Sequence, residues 1–436
     1  PAAATYKAGD TLSFTVNFSE NVNVTGTPRL GLDIGGTTKY ATFASGSGSA
    51  ALVFSYQVET GLTDTDGIAV SALQTNNGTL KDAAGNHATL TLNNVGSLAS
   101  VKVDSQAPTV IGVTSSTVNG SYKAGDVIAI DVNFSEVVSV TGTPQITLAT
   151  GSTNRVVDYA TGSGSNTLTF NYTVQAGDTA TDLDYLSTGA LALNSGSIKD
   201  AIGNDAVLTL PAPTASQSLG ANKNLRIDTA APTISSVDVS ASGTYKTGDI
   251  LDFTVNFSEA VTVITTGGTP RLALTIGSTP KYATYVSGSG STALLFRYTL
   301  ESGLADNDGI TVANTLDANG GTLRDVAGND AALTLNPPSA AAVLVESVPP
   351  TVSSVTTPTN GTYKAGDTLS FTVNFSENVT VDTTNGTPRL QLDIGGPLQY
   401  ASYASGSGTQ ALVFTYTVGA RSEEHTSELQ SRHNLV

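Results

Sequence analysis

Carboxylates are the only side chains in this sequence that return at fixed places with a spacing fit for chemistry. Asp10, Asp126 and Asp249 each close a Tyr-Lys-Ala/Thr-Gly-Asp block. Asp64 and Asp66, Asp182 and Asp184, and Asp306 and Asp308 form Asp-x-Asp pairs further downstream. Asp104, Asp228 and Glu346 stand just before proline-bearing junctions, and Glu136, Glu259 and Glu377 end Asn-Phe-Ser-Glu blocks. Several carboxylates held within about 6 Å repel one another unless a cation or protons intervene. Calcium takes about 6–8 oxygen ligands with tolerant geometry, which suits carboxylates and loop carbonyls better than magnesium does. With no Cys and three His in 436 residues, zinc and copper are disfavoured.

Other chemistry finds little to work with. Nucleophilic catalysis needs a nucleophile, a base and an orienting group. Outside the last 16 residues the only His is His87, beside the Asp82–Asn86 turn, and no other copy of that turn has one. Paired carboxylates can hydrolyse glycosides, but 6% aromatic residues and no Trp leave little for a sugar platform. Tyr56, Tyr172, Tyr298 and Tyr416 are expected to face inward. The Gly46-Ser47-Gly48 turn and its copies at Gly162, Gly288 and Gly406 lack the Lys and following helix of a phosphate loop. A non-enzyme is expected. The net charge of −17 argues against nucleic acid and anionic membranes. No run approaches the roughly 18 apolar residues of a membrane span, so no membrane insertion is expected. A chain without Met that starts at Pro1 is expected to be less than a complete translation product.

The acids need a scaffold, and self-comparison supplies it. The Tyr6–Asp10 block returns at Tyr122–Asp126, Tyr245–Asp249 and Tyr363–Asp367. Val16-Asn17-Phe18-Ser19-Glu20 returns three times, as does Gly26-Thr27-Pro28. The blocks divide the chain into copies at 1–107 (its first strand missing), 108–231, 232–349 and a truncated 350–420. The connectors, such as Val103–Val110 and Ile227–Ile234, carry Pro, which fixes φ and extends the preceding residue; short, stiff linkers follow. Leu12, Phe14, Val16 and Phe18 alternate with polar residues, and Leu52, Phe54, Tyr56 and Val58 do the same, copy after copy. That period of two marks strands with one buried face. Many short strands punctuated by turns predict an all-β fold of tandem antiparallel sandwiches in an elongated rod.

The block order Pro-Thr-Val, Tyr-Lys-Ala-Gly-Asp, Asn-Phe-Ser-Glu, Gly-Thr-Pro, Asp-Ala-Ala-Gly-Asn, Val-Asp-x-x-Ala-Pro resembles tandem bacterial immunoglobulin-like (cadherin-like) repeats of large secreted or surface adhesins. The resemblance covers residues 1 to 420. It implies an extracellular stalk that carries a binding tip away from the cell, often stiffened by calcium between domains. Residues 421–436 resemble a translated sequencing-library adapter and are set aside as an artefact.

If the first strand of a copy runs away from the preceding copy, the turn at Asp10 and the Gly61–Gly67 loop lie at its far end, and Glu20 at its near end. The first junction then gathers Asp10, Asp64, Asp66 and Asp104 with Glu136. The second gathers Asp126, Asp182, Asp184 and Asp228 with Glu259. The third gathers Asp249, Asp306, Asp308 and Glu346 with Glu377. Interdomain calcium is one reading of these sets. Solvated acids capping their own turns, or ions confined to single loops, are the others. The turn Asp82–Asn86, with relatives at Asp200 and Asp325, reads first as a tight turn and second as a metal loop. Three functions remain open: a structural, adhesive stalk; modules that grip a host or bacterial surface glycan or protein; and an accessory spacer of a secreted enzyme. In each, the immediate partners are neighbouring domains of the same chain.

Overall fold

The computed structural model describes residues 1–394 and 397–420, so the segment 421–436 lies outside the described residues. The chain is all-β, built of tandem sandwiches. By contact it forms two compact units. The first is Pro1–Pro232 with Glu259–Thr262 and Leu323–Ala332; the second is Thr233–Ser258, Val263–Thr322 and the residues from Leu333 onward.

In the first unit, the alternation seen in sequence becomes a sheet face. The strand Thr11–Thr25 runs antiparallel to Ser49–Gln57, with Leu12 opposite Tyr56, Phe14 opposite Phe54 and Val16 opposite Leu52. The sheet continues through Thr37–Ser45 and Arg29–Ile34 to Ala69–Gln74. Phe54 is fully buried and meets Phe43 edge-on, with ring centroids 6.0 Å apart. The second copy repeats this with Phe170 against Tyr159 at 6.1 Å. Burying each such ring contributes roughly 1.5–3 kcal/mol. The turn that links these strands requires glycine: Gly46 has φ +102°, and a Cβ there would sit 2.1 Å from the Ala51 carbonyl oxygen. Tyr56 and Tyr172 face inward, as expected, and both are buried.

The long strand breaks register between Asn17 and Val22, and again between Asn133 and Val138 in the second copy. Past each bulge it pairs with a different partner, Thr79–Lys81 or Ser197–Lys199. A bulge bends a strand and re-aims its side chains. Glu20 and Glu136 lie within these bulges.

One pairing departs from the antiparallel expectation. Ala4–Tyr6 lies parallel to Val101–Asp104, and Gly120–Tyr122 lies parallel to Leu225–Asp228. Parallel partners need a long crossover, and almost a whole copy separates these strands. The consequence is positional. Each Tyr-Lys-x-Gly-Asp turn reaches the end of its copy from which the linker leaves, and Lys7 Nζ donates to the Gly203 carbonyl oxygen in the next copy at 3.2 Å.

In the second unit, the sheet order is Ile234–Asp238, Ile250–Ile264, Ser291–Thr299, Thr279–Ser287, Arg271–Ile276 and Thr311–Asp317. The fourth copy gives a five-stranded sheet over Val352–Thr356, Thr368–Val379, Thr409–Thr417, Gln399–Ser405 and Arg389–Leu392. Its buried cluster is small: Val373, Leu392, Ala401, Leu412 and Phe414.

Candidate metal centre

Two of the five acids expected at the first junction meet there. Asp104, at the end of Val101–Asp104, and Glu136, in the bulge, bring carboxylate oxygens together with a third acid, Asp200; one oxygen from each lies within 4.8 Å of the others. The second junction repeats the trio with Asp228, Glu259 and Asp325. Both trios lie within the first compact unit.

The third member comes from an Asp-x-x-Gly-Asn turn, Asp200–Asn204 at the first junction and Asp325–Asn329 at the second. Asp200 Oδ1 accepts from the backbone N–H groups of Ile202, Gly203 and Asn204 at 2.9, 2.6 and 2.8 Å, while Oδ2 accepts from Asn204 Nδ2 at 2.6 Å. Asn204 Nδ2 also donates to the Asp104 carbonyl oxygen at 3.0 Å. Asn329 repeats both bonds, to Asp325 Oδ2 at 2.7 Å and to the Asp228 carbonyl oxygen at 2.8 Å. The amide thus ties the turn of one copy to the linker of the copy before it. The segment is the tight turn that its sequence predicts, and its acid also faces the junction.

The remaining expected acids go elsewhere. Asp64 is buried and caps its own loop, accepting from the N–H groups of Gly35 at 2.8 Å and Gly67 at 2.7 Å. Asp306 caps Gly277 and Gly309 in the same way. Asp184 accepts from Tyr185 N and Thr214 N, both at 2.9 Å, replacing the glycine partner that its loop lacks. Asp182 accepts from Leu225 N at 3.4 Å. Asp10, Asp126 and Asp249 each accept from the backbone N–H three residues back, at Lys7, Lys123 and Lys246. Asp66 and Asp308 are exposed. The five-acid sets are therefore corrected to trios: the backbone N–H groups of their own loops hold most of these carboxylates more cheaply than a crowded junction would. At the third junction Glu346 accepts from Val348 N at 3.1 Å, and among the described residues neither Glu346 nor Glu377 belongs to a carboxylate trio.

The electrostatics register the crowding. Burial pushes the Glu136 carboxyl above its ordinary range, and the charges of Asp104 and Asp200 push it the same way. Glu259 rises from burial first, then from Asp228 and Asp325, with Arg226 opposing. Arg226 Nη2 sits 3.1 Å from Asp228 Oδ2 and supplies part of the countercharge. The donor set fits a hard divalent cation. Oxygens on opposite sides of an ion with bonds of about 2.3–2.6 Å lie roughly 5 Å apart, and the trios span 4.8 Å at most.

No family model matches the chain, and no curated protein matches it. Among solved structures, a DUF4785 family protein from Legionella pneumophila is similar at 9% identity over 77% of this chain and 89% of that one, with a TM-score of 0.18. The N-terminal eight Ig domains of Down Syndrome Cell Adhesion Molecule are similar at 11% identity over 94% of this chain and 53% of that one, with a TM-score of 0.20. The plexin A4 extracellular region is similar at 10% identity over 95% of this chain and 44% of that one, again with a TM-score of 0.20. The chain spans about half the length of the last two. At these scores the likenesses carry no argument about fold or function. Among the described residues, no helix is long and apolar enough to cross a membrane.

Proposed function

We propose that this chain is a non-catalytic structural and adhesive stalk segment of a bacterial extracellular or surface protein, stiffened by calcium at its junctions. The carrying observation is the repeated trio: linker aspartate, bulge glutamate and turn aspartate meet at two successive junctions. Asp104, Glu136 and Asp200 would hold one ion, and Asp228, Glu259 and Asp325 another. The ion would cancel the repulsion within each trio and bind the end of one copy to two elements of the next. Main-chain carbonyls, the side-chain oxygens of Asn204 and Asn329, and water would complete the shell of about 6–8 oxygens. Repetition supports a spacer, because reach grows with each copy in a linear array. Small-angle scattering of the chain in calcium and in excess chelator tests the reading. Calcium should lengthen the particle and narrow its distance distribution; identical curves would end it.

A second reading has an observation of its own. Arg29 stacks on Tyr40 at 3.8 Å from the ring centroid, Arg271 on Tyr282 at 4.1 Å, and Arg389 on Tyr400 at 4.5 Å. All three tyrosines are exposed, at 37, 44 and 39%. In the second copy Gln145 and Val156 take these places, so the platform is absent there. A recurring aromatic platform favours glycan- or protein-gripping modules, and a glycan array probed with wild type and a Tyr40/Tyr282/Tyr400→Ala variant would reveal them.

A further inference from the structure

Five steps of the chain join Asn to Gly, at Asn77–Gly78, Asn119–Gly120, Asn319–Gly320, Asn360–Gly361 and Asn385–Gly386. Two more join Asp to Gly, at Asp66–Gly67 and Asp308–Gly309. At such a step the glycine nitrogen can close on the side-chain carbonyl carbon, because no Cβ on the glycine stands in the way. The fold guards five of the seven by holding that nitrogen in a hydrogen bond. Gly67 N donates to Asp64 Oδ1 at 2.7 Å and Gly309 N to Asp306 Oδ1 at 2.8 Å. Gly78 N donates to the Thr75 carbonyl oxygen at 2.8 Å, Gly120 N to that of Asn224 at 3.1 Å and Gly386 N to that of Thr383 at 3.2 Å. Gly320 N and Gly361 N have no acceptor among the described residues.

Asn319 stands apart in what its side chain holds. Its Nδ2 donates to the Thr269 carbonyl oxygen at 3.0 Å. Asn76 and Asn194 make the same bond to the carbonyls of Thr27 and Thr143, at 3.1 and 3.2 Å. In those copies Asn77 or Ser195 comes next; only in the third does glycine follow the clasping asparagine directly. Asn319 and Gly320 are both exposed and both left-handed, with φ of +47° and +83°. Asn319 N also donates to Asp317 Oδ1 at 2.8 Å, and Asp317 Oδ2 holds Arg271 Nε at 2.8 Å. Asn360 is exposed as well, but its amide clasps nothing among the described residues.

We infer that Asn319 is a modification site, at which the chain deamidates itself and releases its own clasp. The Gly320 nitrogen loses its proton to water and bonds to Asn319 Cγ; the Cγ–Nδ2 bond breaks and ammonia leaves. Water then opens the cyclic imide at either carbonyl, giving aspartate or isoaspartate. The group that faced the Thr269 carbonyl changes from a donor to a carboxylate oxygen, so the attraction becomes a repulsion. The new charge also stands beside Asp317. The turn is packed closely on Gly268, where a Cβ would lie 1.8 Å from the Asn319 carbonyl oxygen, so the extra main-chain carbon of isoaspartate displaces it.

The test ages the full chain in mildly alkaline buffer and follows each Asn–Gly step by peptide mass spectrometry. Each rate is divided by the rate of the same step in denaturant. On that scale Asn319 and Asn360 should lead, with Asn77, Asn119 and Asn385 about two- to tenfold behind, because those must first break a hydrogen bond. Asn319 lagging with the bonded steps would overturn the inference. The release is read separately by amide hydrogen exchange. Asn319→Asp should speed exchange at Gly268 and Gly321 at least about fivefold, and Asn360→Asp should leave both unchanged. Unaltered protection in the Asn319→Asp variant, or an equal effect from Asn360→Asp, would overturn the release of the clasp.

Discussion

Replacing Glu136 by Gln should stabilise the calcium-free protein while removing part of its response to calcium. Glu136 takes part in two of the three carboxylate pairs of its trio, each within 4.8 Å. Two unit charges at that distance repel by about 0.9 kcal/mol even at the dielectric of bulk water, and more in a half-buried setting. The separation is below the Debye length of about 8 Å, so salt screens it incompletely. Glu136→Gln thus relieves about 2 kcal/mol, or roughly 8 °C in melting for a domain of this size. Calcium at about 100 times its dissociation constant would add about 2.7 kcal/mol to wild type. The variant should gain little at that junction, and Glu136→Gln with Glu259→Gln should abolish the gain. Calorimetry in chelator and in calcium reads both numbers. A variant that melts below wild type in chelator, or shows an unchanged calcium increment, refutes the reasoning.

Three further outcomes follow from the same geometry. Because the Glu136 and Glu259 carboxyls lie above their ordinary range, their contribution to calcium-free stability is complete below the ordinary glutamate value and is lost as pH rises through the folded value. Calcium must displace those protons, so its affinity should fall between neutral pH and about pH 5 by titration calorimetry; a flat profile contradicts this. Asp64→Ala should cost roughly 1–3 kcal/mol, because two backbone N–H groups lose a buried acceptor, yet leave the calcium increment of melting unchanged. Asn329→Ala removes the bonds to the Asp228 carbonyl and to Asp325. It should weaken calcium binding at the second junction while the first, held by Asn204, keeps its affinity in a calcium titration.

The strands were legible because period-two alternation is local: Leu12, Phe14, Leu52 and Phe54 announce their buried face without knowledge of their partners. The parallel pairing of Ala4–Tyr6 with Val101–Asp104 was not, since nothing in either short segment encodes a partner almost a copy away. The site was legible in part. Asp104 and Glu136 were placed correctly by counting strands to opposite ends. The same count could have placed Asp200 beside Glu136, because Ser197–Lys199 pairs with the continuation of the strand that carries Glu136. Asp64 and Asp306 misled because an Asp-x-Asp-Gly loop looks the same in sequence whether its acid faces a cation or its own backbone N–H groups.

We propose that each trio is a calcium site. Calcium counted by equilibrium dialysis against the intact chain tests it most directly. Tight binding at both junctions, lost when Glu136 and Glu259 are both replaced by Gln, is the predicted result; binding that survives the double replacement, or none at all in wild type, would contradict it.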